Sequence, residues 1–235
     1  MTPRRRGRWD YPGLLRTLGL AVCAWVFVLA SDGGRRAAAQ EPALSEEFEK
    51  PKRHFKVDRP ADLSGAAALT VYMRVIDEMT AGYRLSGERS AGAYRNWRRY
   101  NKTPYRSATH GQRFVNNYAN TLAKAYGRYE GAGDLPVGAL LAKDSFAVTA
   151  RGDVFSGPLF LMQKMPAGFS PDSRDWRYTM IMPDGSLFGR TKGEGSGRVE
   201  FCITCHKSAG AKNDHLFFVP KEQRVRIFSL QPQDD

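Results

Sequence analysis

Apolar residues in this chain follow two rhythms, one early and helical, the other later and close to alternation. Over 62–82, Leu69, Tyr72, Met73, Ile76 and Met79 recur at three- and four-residue steps, which predicts an amphipathic helix. Asp62 or Ser64 is placed to cap its start, and Gly82 to stop it. A polar stretch over 85–106, with Trp97 inside it, shows no period. Beyond it strand signals dominate. Residues 112–118 read as a short strand, and Asn120 as the cap of a short helix through Ala125. Leu135-Pro136-Val137-Gly138 reads as a turn and 139–148 as a strand. Residues 159–165 are apolar on both sides of Gln163, and 174–182 alternate through Trp176, Tyr178, Met180 and Met182. Pro183-Asp184-Gly185 marks a turn, and 189–197 a glycine-rich loop. Residues 201–208 suit a short helix, and 216–219 with 225–228 suit closing strands. The sum is an α+β, β-dominated domain: an antiparallel sheet with one N-terminal helix.

The first forty residues do not fit that scheme. Arg4, Arg5, Arg6 and Arg8 open the chain, an apolar run ends at Ala30, and Ala37-Ala38-Ala39 precedes Gln40. Basic start, apolar heart and small residues at the cut are the order of a secretory signal peptide. The apolar run is short for a membrane span, which needs about 20 residues. Arg35 and Arg36, between that run and the expected cut, are unusual there and leave an uncleaved anchor as the alternative. The arginine run lacks the full twin-arginine pattern, and Val22 before Cys23 argues against a lipoprotein cut. The expected organisation is therefore a signal peptide over 1–39, a flexible lead-in over 40–60, and one domain over 61–235 working in the periplasm. With 42% apolar residues, that domain has material for a sizeable core.

Removing 1–39 takes away seven arginines and two aspartates and lowers the net charge from +12 to +7. A mildly basic surface suits an acidic protein partner or an anionic membrane. No basic block with interleaved aromatics points to nucleic acid. The cysteines say more. Of three, Cys23 lies in the leader, and the other two stand in Cys202-Ile203-Thr204-Cys205-His206. On a helical turn these positions share one face. Two thiols then reach the two vinyl groups along one haem edge while the imidazole turns to the iron. C-x-x-C-H is the sequence sign of haem c attachment, here one covalent haem with His206 as iron ligand. A thioredoxin-like pair would need a βαβ setting, and a zinc site a second pair of ligands; neither is visible. No methionine follows His206. Met162, Met165, Met180 or Met182 upstream could ligate, but methionine at strand spacing is more often core. An open sixth position is favoured, and an open iron binds small molecules.

At this point the residues resemble the cytochrome P-460 family, which includes the cytochromes c′-beta. The likeness runs from Trp97 to Phe228. It is carried by His110-Gly111 with Arg113 ahead of Asn120; by Leu135-Pro136-Val137-Gly138 followed by Ala142-Lys143-Asp144-Ser145-Phe146; by Leu161-Met162 with Lys164-Met165 and Gly168-Phe169; by Asp175-Trp176-Arg177-Tyr178; and by Phe201-Cys202 with His206. The resemblance implies a sheet-rich haem protein, usually a homodimer, with five-coordinate iron. It implies that Lys143 stands where catalytic members join a lysine to a haem meso carbon, and Arg113 where a distal arginine meets an iron-bound nitrogen oxide. Such members oxidise hydroxylamine and pass electrons to an exported acceptor such as another cytochrome. The c′-beta members lack the bond and bind nitric oxide or carbon monoxide. An electron-transfer cytochrome with a closed iron is the third alternative. The family's distal carboxylate has no evident counterpart; Glu194, Glu200 and Asp144 are candidates by position alone. Read by itself, Lys143 shares a strand face with apolar Ala139 and Leu141, where burial favours a neutral, nucleophilic amine. A lysine whose head reaches water is the other reading. His110 and His215 read as loop residues, and His54 falls in the lead-in.

Overall fold

The computed structural model describes residues 56–57 and 59–226. The expected leader, most of the lead-in and the end of the last expected strand lie outside them. Helix α1, Gly65–Arg84, starts where Ser64 turns its hydroxyl back to accept from the Ala67 amide at 3.2 Å. Asp62 makes no cap. The buried stripe is Ala68, Tyr72, Ile76, Met79, Thr80 and Tyr83, so the 3.6 period holds. Met73, expected on that stripe, is 61% exposed because it falls one step to its side. Gly82 does not stop the helix, which continues for two residues. A Cβ at Gly82 would stand 1.9 Å from the carbonyl oxygen of Pro183. The glycine serves close approach to the turn over 183–185.

The polar stretch after α1 is structured. Helix α2, Arg89–Ala93, runs into a 3-10 turn at Tyr94–Asn96, and two short strands follow, β1 at Arg98–Arg99 and β2 at Tyr105–Ser107. Burial of Ala91 and Tyr94 ties this segment down. Then come β3 (Arg113–Ala119), a 3-10 segment Thr121–Gly131, β4 (Leu140–Val148), β5 (Val154–Ser156), β6 (Leu159–Lys164), β7 (Trp176–Ile181) and β8 (Leu187–Arg190). Asn120 caps the 3-10 segment through Ala123 N at 3.0 Å and also accepts from Leu140 N at 3.0 Å, joining that segment to β4. Helix α3, Glu200–Lys207, carries the cysteine motif.

All strand pairs are antiparallel, in the order β1-β3-β4-β6-β7-β8, with β2 also on β3 and β5 also on β4. The α+β class with its N-terminal helix is thus as expected, now as an eight-stranded sheet. Two expectations fail. Residues 216–219 form no strand: Leu216 and Val219 are buried, but their backbone crosses the core as irregular chain. Residues 225–226 are not in a strand either; Arg224 makes only an isolated bridge to Asn101. The first residues of the expected loop over 189–197 belong instead to β8.

Because side chains alternate across a strand, the sheet has two different faces. On one, Phe114, Tyr118, Ala142, Phe146 and Leu161 pack with Tyr72, Ile76, Met79 and Tyr83 of α1. On the other, Leu141, Met162, Trp176, Tyr178 and Met180 pack with Tyr126, Cys202, Leu216 and Val219. Among the described residues no helix is long and apolar enough to cross a membrane.

Candidate functional site

The second face holds the chemistry. In α3 the positions of Cys202, Cys205 and His206 bring all three side chains to one side of the helix. They line one pocket, part of it open to solvent, together with residues of the sheet. Leu141, Lys143, Phe160, Met162, Tyr178, Asn117 and His110 complete most of the wall. Four of the residues singled out in the sequence, Lys143 and the motif's two cysteines and histidine, therefore line one pocket although they lie far apart along the chain.

His206 is oriented from behind. Its Nδ1 lies 2.9 Å from the carbonyl oxygen of His215, so the proton sits on Nδ1 and Nε2 is the unprotonated nitrogen. Tyr178 and Phe217 flank the imidazole with ring centroids at 5.1 and 5.4 Å. Cys202 is buried, and burial together with the Cys205 sulfur pushes its thiol up to about 12. A redox-active or thiolate-type cysteine needs the opposite shift. The antiparallel sheet also gives no βαβ setting. Among the described residues no group of three or more His, Cys, Asp or Glu converges as a metal cage. A haem iron would ask for a single protein nitrogen, and His206 is the residue of the motif that could offer one.

Opposite the motif, Lys143 stands on β4 across from Asn117 of β3. It is half-buried, and burial pulls its pKa down to about 8, against a smaller opposing pull from Cys205. Its Nζ lies 3.4 Å from His110 Nε2. His110 is fixed on its other side by Ser107 Oγ at 2.9 Å and Thr109 Oγ1 at 3.2 Å, and edge-on by Phe160 at 5.0 Å between centroids. By spacing alone His110 has no role beyond a turn. Its neighbour Gly111 does take a positive φ, but the same tight turn aims the imidazole into the pocket. Asn117 holds Tyr105 and Tyr126 in place, and Tyr126 in turn donates to Phe217 O at 3.1 Å.

Other candidates are elsewhere. Arg113 is buried near the start of β3 beside Gly157, where an added Cβ would touch its Cδ at 2.8 Å; it is not among the pocket's lining residues. Asp144 is fully buried on the α1 face, accepting from Tyr72 at 2.6 Å, Asn116 at 3.0 Å and Tyr94 at 3.1 Å. Glu194 and Glu200 are exposed and do not line the pocket. No carboxylate stands among its lining residues. Of the four upstream methionines only Met162 lines it.

The residues fit haem c on two counts. The donor set is two thiols and one Nδ1-anchored imidazole on a single helix face. The Tyr178 hydroxyl is buried at the pocket with no hydrogen-bond partner among the described residues, a cost that a polar group brought in by a ligand would remove. Comparison with protein-family models and with curated proteins gives no match.

Proposed function

We propose that this chain is an exported mono-haem c-type cytochrome that oxidises hydroxylamine or related nitrogen oxides. Cys202 and Cys205 would hold the haem edge through thioether bonds, and His206 the iron. One observation carries the reading: the motif's three side chains and Lys143 line the same pocket. When bound, haem would supply an iron site for the substrate nitrogen and an acceptor for its electrons.

The protein's own groups have separate tasks. His215 O fixes the His206 tautomer and keeps Nε2 directed at the iron. Leu141, Phe160 and Met162 keep the wall dry. Lys143, with its pKa near 8, holds a useful fraction of neutral amine at neutral pH. Neutral amine is the form that the role implied by the family resemblance would require. His110, in reach of the Lys143 amine, is the base that receives protons released from substrate. It takes the place sought for a carboxylate. Electrons leave to another exported cytochrome, with a homodimer as the working unit.

The test is expression in cells competent for cytochrome c maturation, followed by intact mass and absorption spectra. Covalent haem, a red-shifted Soret band and hydroxylamine oxidation that Lys143→Leu abolishes are the expected results. A polypeptide without retained haem, or full activity in Lys143→Leu, would refute the assignment. Gas binding without turnover would instead identify a nitric oxide or carbon monoxide carrier. Met162 at the pocket favours one second reading, an electron carrier with a closed iron. A low-spin reduced spectrum lost in Met162→Leu would establish it.

A further inference from the structure

Behind the pocket the chain after α3 makes an unusual turn. Asp214 and His215 are consecutive non-glycine residues with φ of 52° and 56°, in the left-handed region that disfavours side chains. Something must hold this conformation. The Asp214 carboxylate, fully buried, accepts from Lys164 Nζ at 2.5 Å, Arg174 Nε at 3.2 Å and Leu135 N at 3.0 Å. Its backbone carbonyl accepts from Trp176 Nε1 at 2.9 Å. Lys164 also donates to Arg174 O at 2.9 Å and sits over the Trp176 ring at 5.0 Å. One buried carboxylate thus gathers the end of β6, the start of β7 and the loop before β4. The next carbonyl along the chain, that of His215, is the one that takes the His206 Nδ1 proton.

We infer that Asp214, clamped by Lys164 and Arg174, is the positioning residue that sets how strongly His206 donates to the iron. The inference rests on the haem reading above. A carbonyl held rigidly in line with Nδ1–H makes the opposite ring nitrogen a better donor; a carbonyl free to drift does not. Lys164 ends a strand, and Arg174 and Leu135 stand in the segments that lead into β7 and β4, so the clamp ties to the sheet a loop that would otherwise be soft. Breaking one partner of a buried ion pair leaves the other uncompensated; loss of Asp214 releases all three anchors, whereas loss of Lys164 leaves Arg174 and Leu135 in place.

The experiment uses the full chain, matured with haem, as wild type, Asp214→Asn, Lys164→Met, Lys164→Arg and Asp134→Asn. Two quantities are read: the iron–histidine stretching frequency of the ferrous protein, and the reduction potential. Asp214→Asn lowers the frequency and raises the potential. Lys164→Met moves both the same way by less, and Lys164→Arg restores them. Asp134→Asn, which loses only the outer contact of Arg174 at 2.7 Å, leaves both unchanged. If Asp214→Asn fails to fold, the two Lys164 variants decide. A loosened protein with a lower melting temperature but wild-type frequency and potential overturns the inference, because pinning a loop alone moves stability and not the iron. Wild-type protein without covalent haem overturns the haem reading itself, and is told apart by its missing Soret band.

Discussion

Replacing Lys143 by methionine in the haem-free chain separates a buried amine from one that reaches water. Burial takes its pKa from 10.5 to about 8 in the folded protein. At about 1.4 kcal/mol per unit, that is about 3 kcal/mol of bias against the charged form. The side chain is only half-buried, so screening reduces the figure, and about 1–2 kcal/mol is expected. The sign follows from linkage. Above the unfolded pKa, near 10.4, the amine is neutral in both states and the bias is absent. As pH falls from there toward 8, the unfolded chain binds a proton that the folded chain resists, and stability drops. Below 8 both states are charged and the full cost remains. Methionine has no such titration. Urea unfolding at pH 7 and at pH 10.5 should therefore show Lys143→Met gaining about 1–2 kcal/mol on wild type at the lower pH relative to the higher. The difference between the two conditions is the diagnostic, since any packing change is common to both. A gap that does not vary with pH, or one that favours wild type more at pH 7, would refute the account of this lysine.

Three further outcomes are expected. Gly82→Ala, which in an open helix would add about 1 kcal/mol of stability, should destabilise here, because the new Cβ meets the Pro183 carbonyl; a raised melting temperature would show that the contact yields. Ser64→Ala should cost about 1 kcal/mol in urea unfolding through loss of the α1 cap, and no change would mean that the cap is made by another group. His110→Ala should lower hydroxylamine oxidation about a hundredfold with haem content unchanged, and an unaltered rate removes His110 from proton transfer.

Much of this architecture was legible in the chain. Periodicity located α1 and the central strands because those segments bury one clean side against a single partner. It missed α2, β1 and β2, whose anchors Ala91, Tyr94 and Tyr100 stand singly among polar neighbours. It mistook Leu216 and Val219 for strand because burial alone does not distinguish an irregular strap from a ladder. At the site, the cysteine motif was readable since its geometry is local. Lys143 was placed by resemblance and by the apolar company of its strand face. His110 was not, because its importance depends on a contact across 33 residues that no spacing encodes. Arg113 and Asp144 show the converse: chemistry-bearing types in matching positions, turned away from the pocket by the side-chain parity of Asp144 and by the distance of Arg113 along its strand.

Lys143 and Asp144 are consecutive in β4, yet one looks toward the cysteines and the other into the tyrosines beneath α1. A strand distributes neighbours to opposite sides by count alone. Deleting or inserting a single residue upstream within β4 would send the acid to the cavity and the amine into a dry interior. Exchanges of side chain can be absorbed here one at a time, whereas a change in length reverses the polarity of the whole wall. Variation in this segment of any working descendant should therefore be confined to substitution.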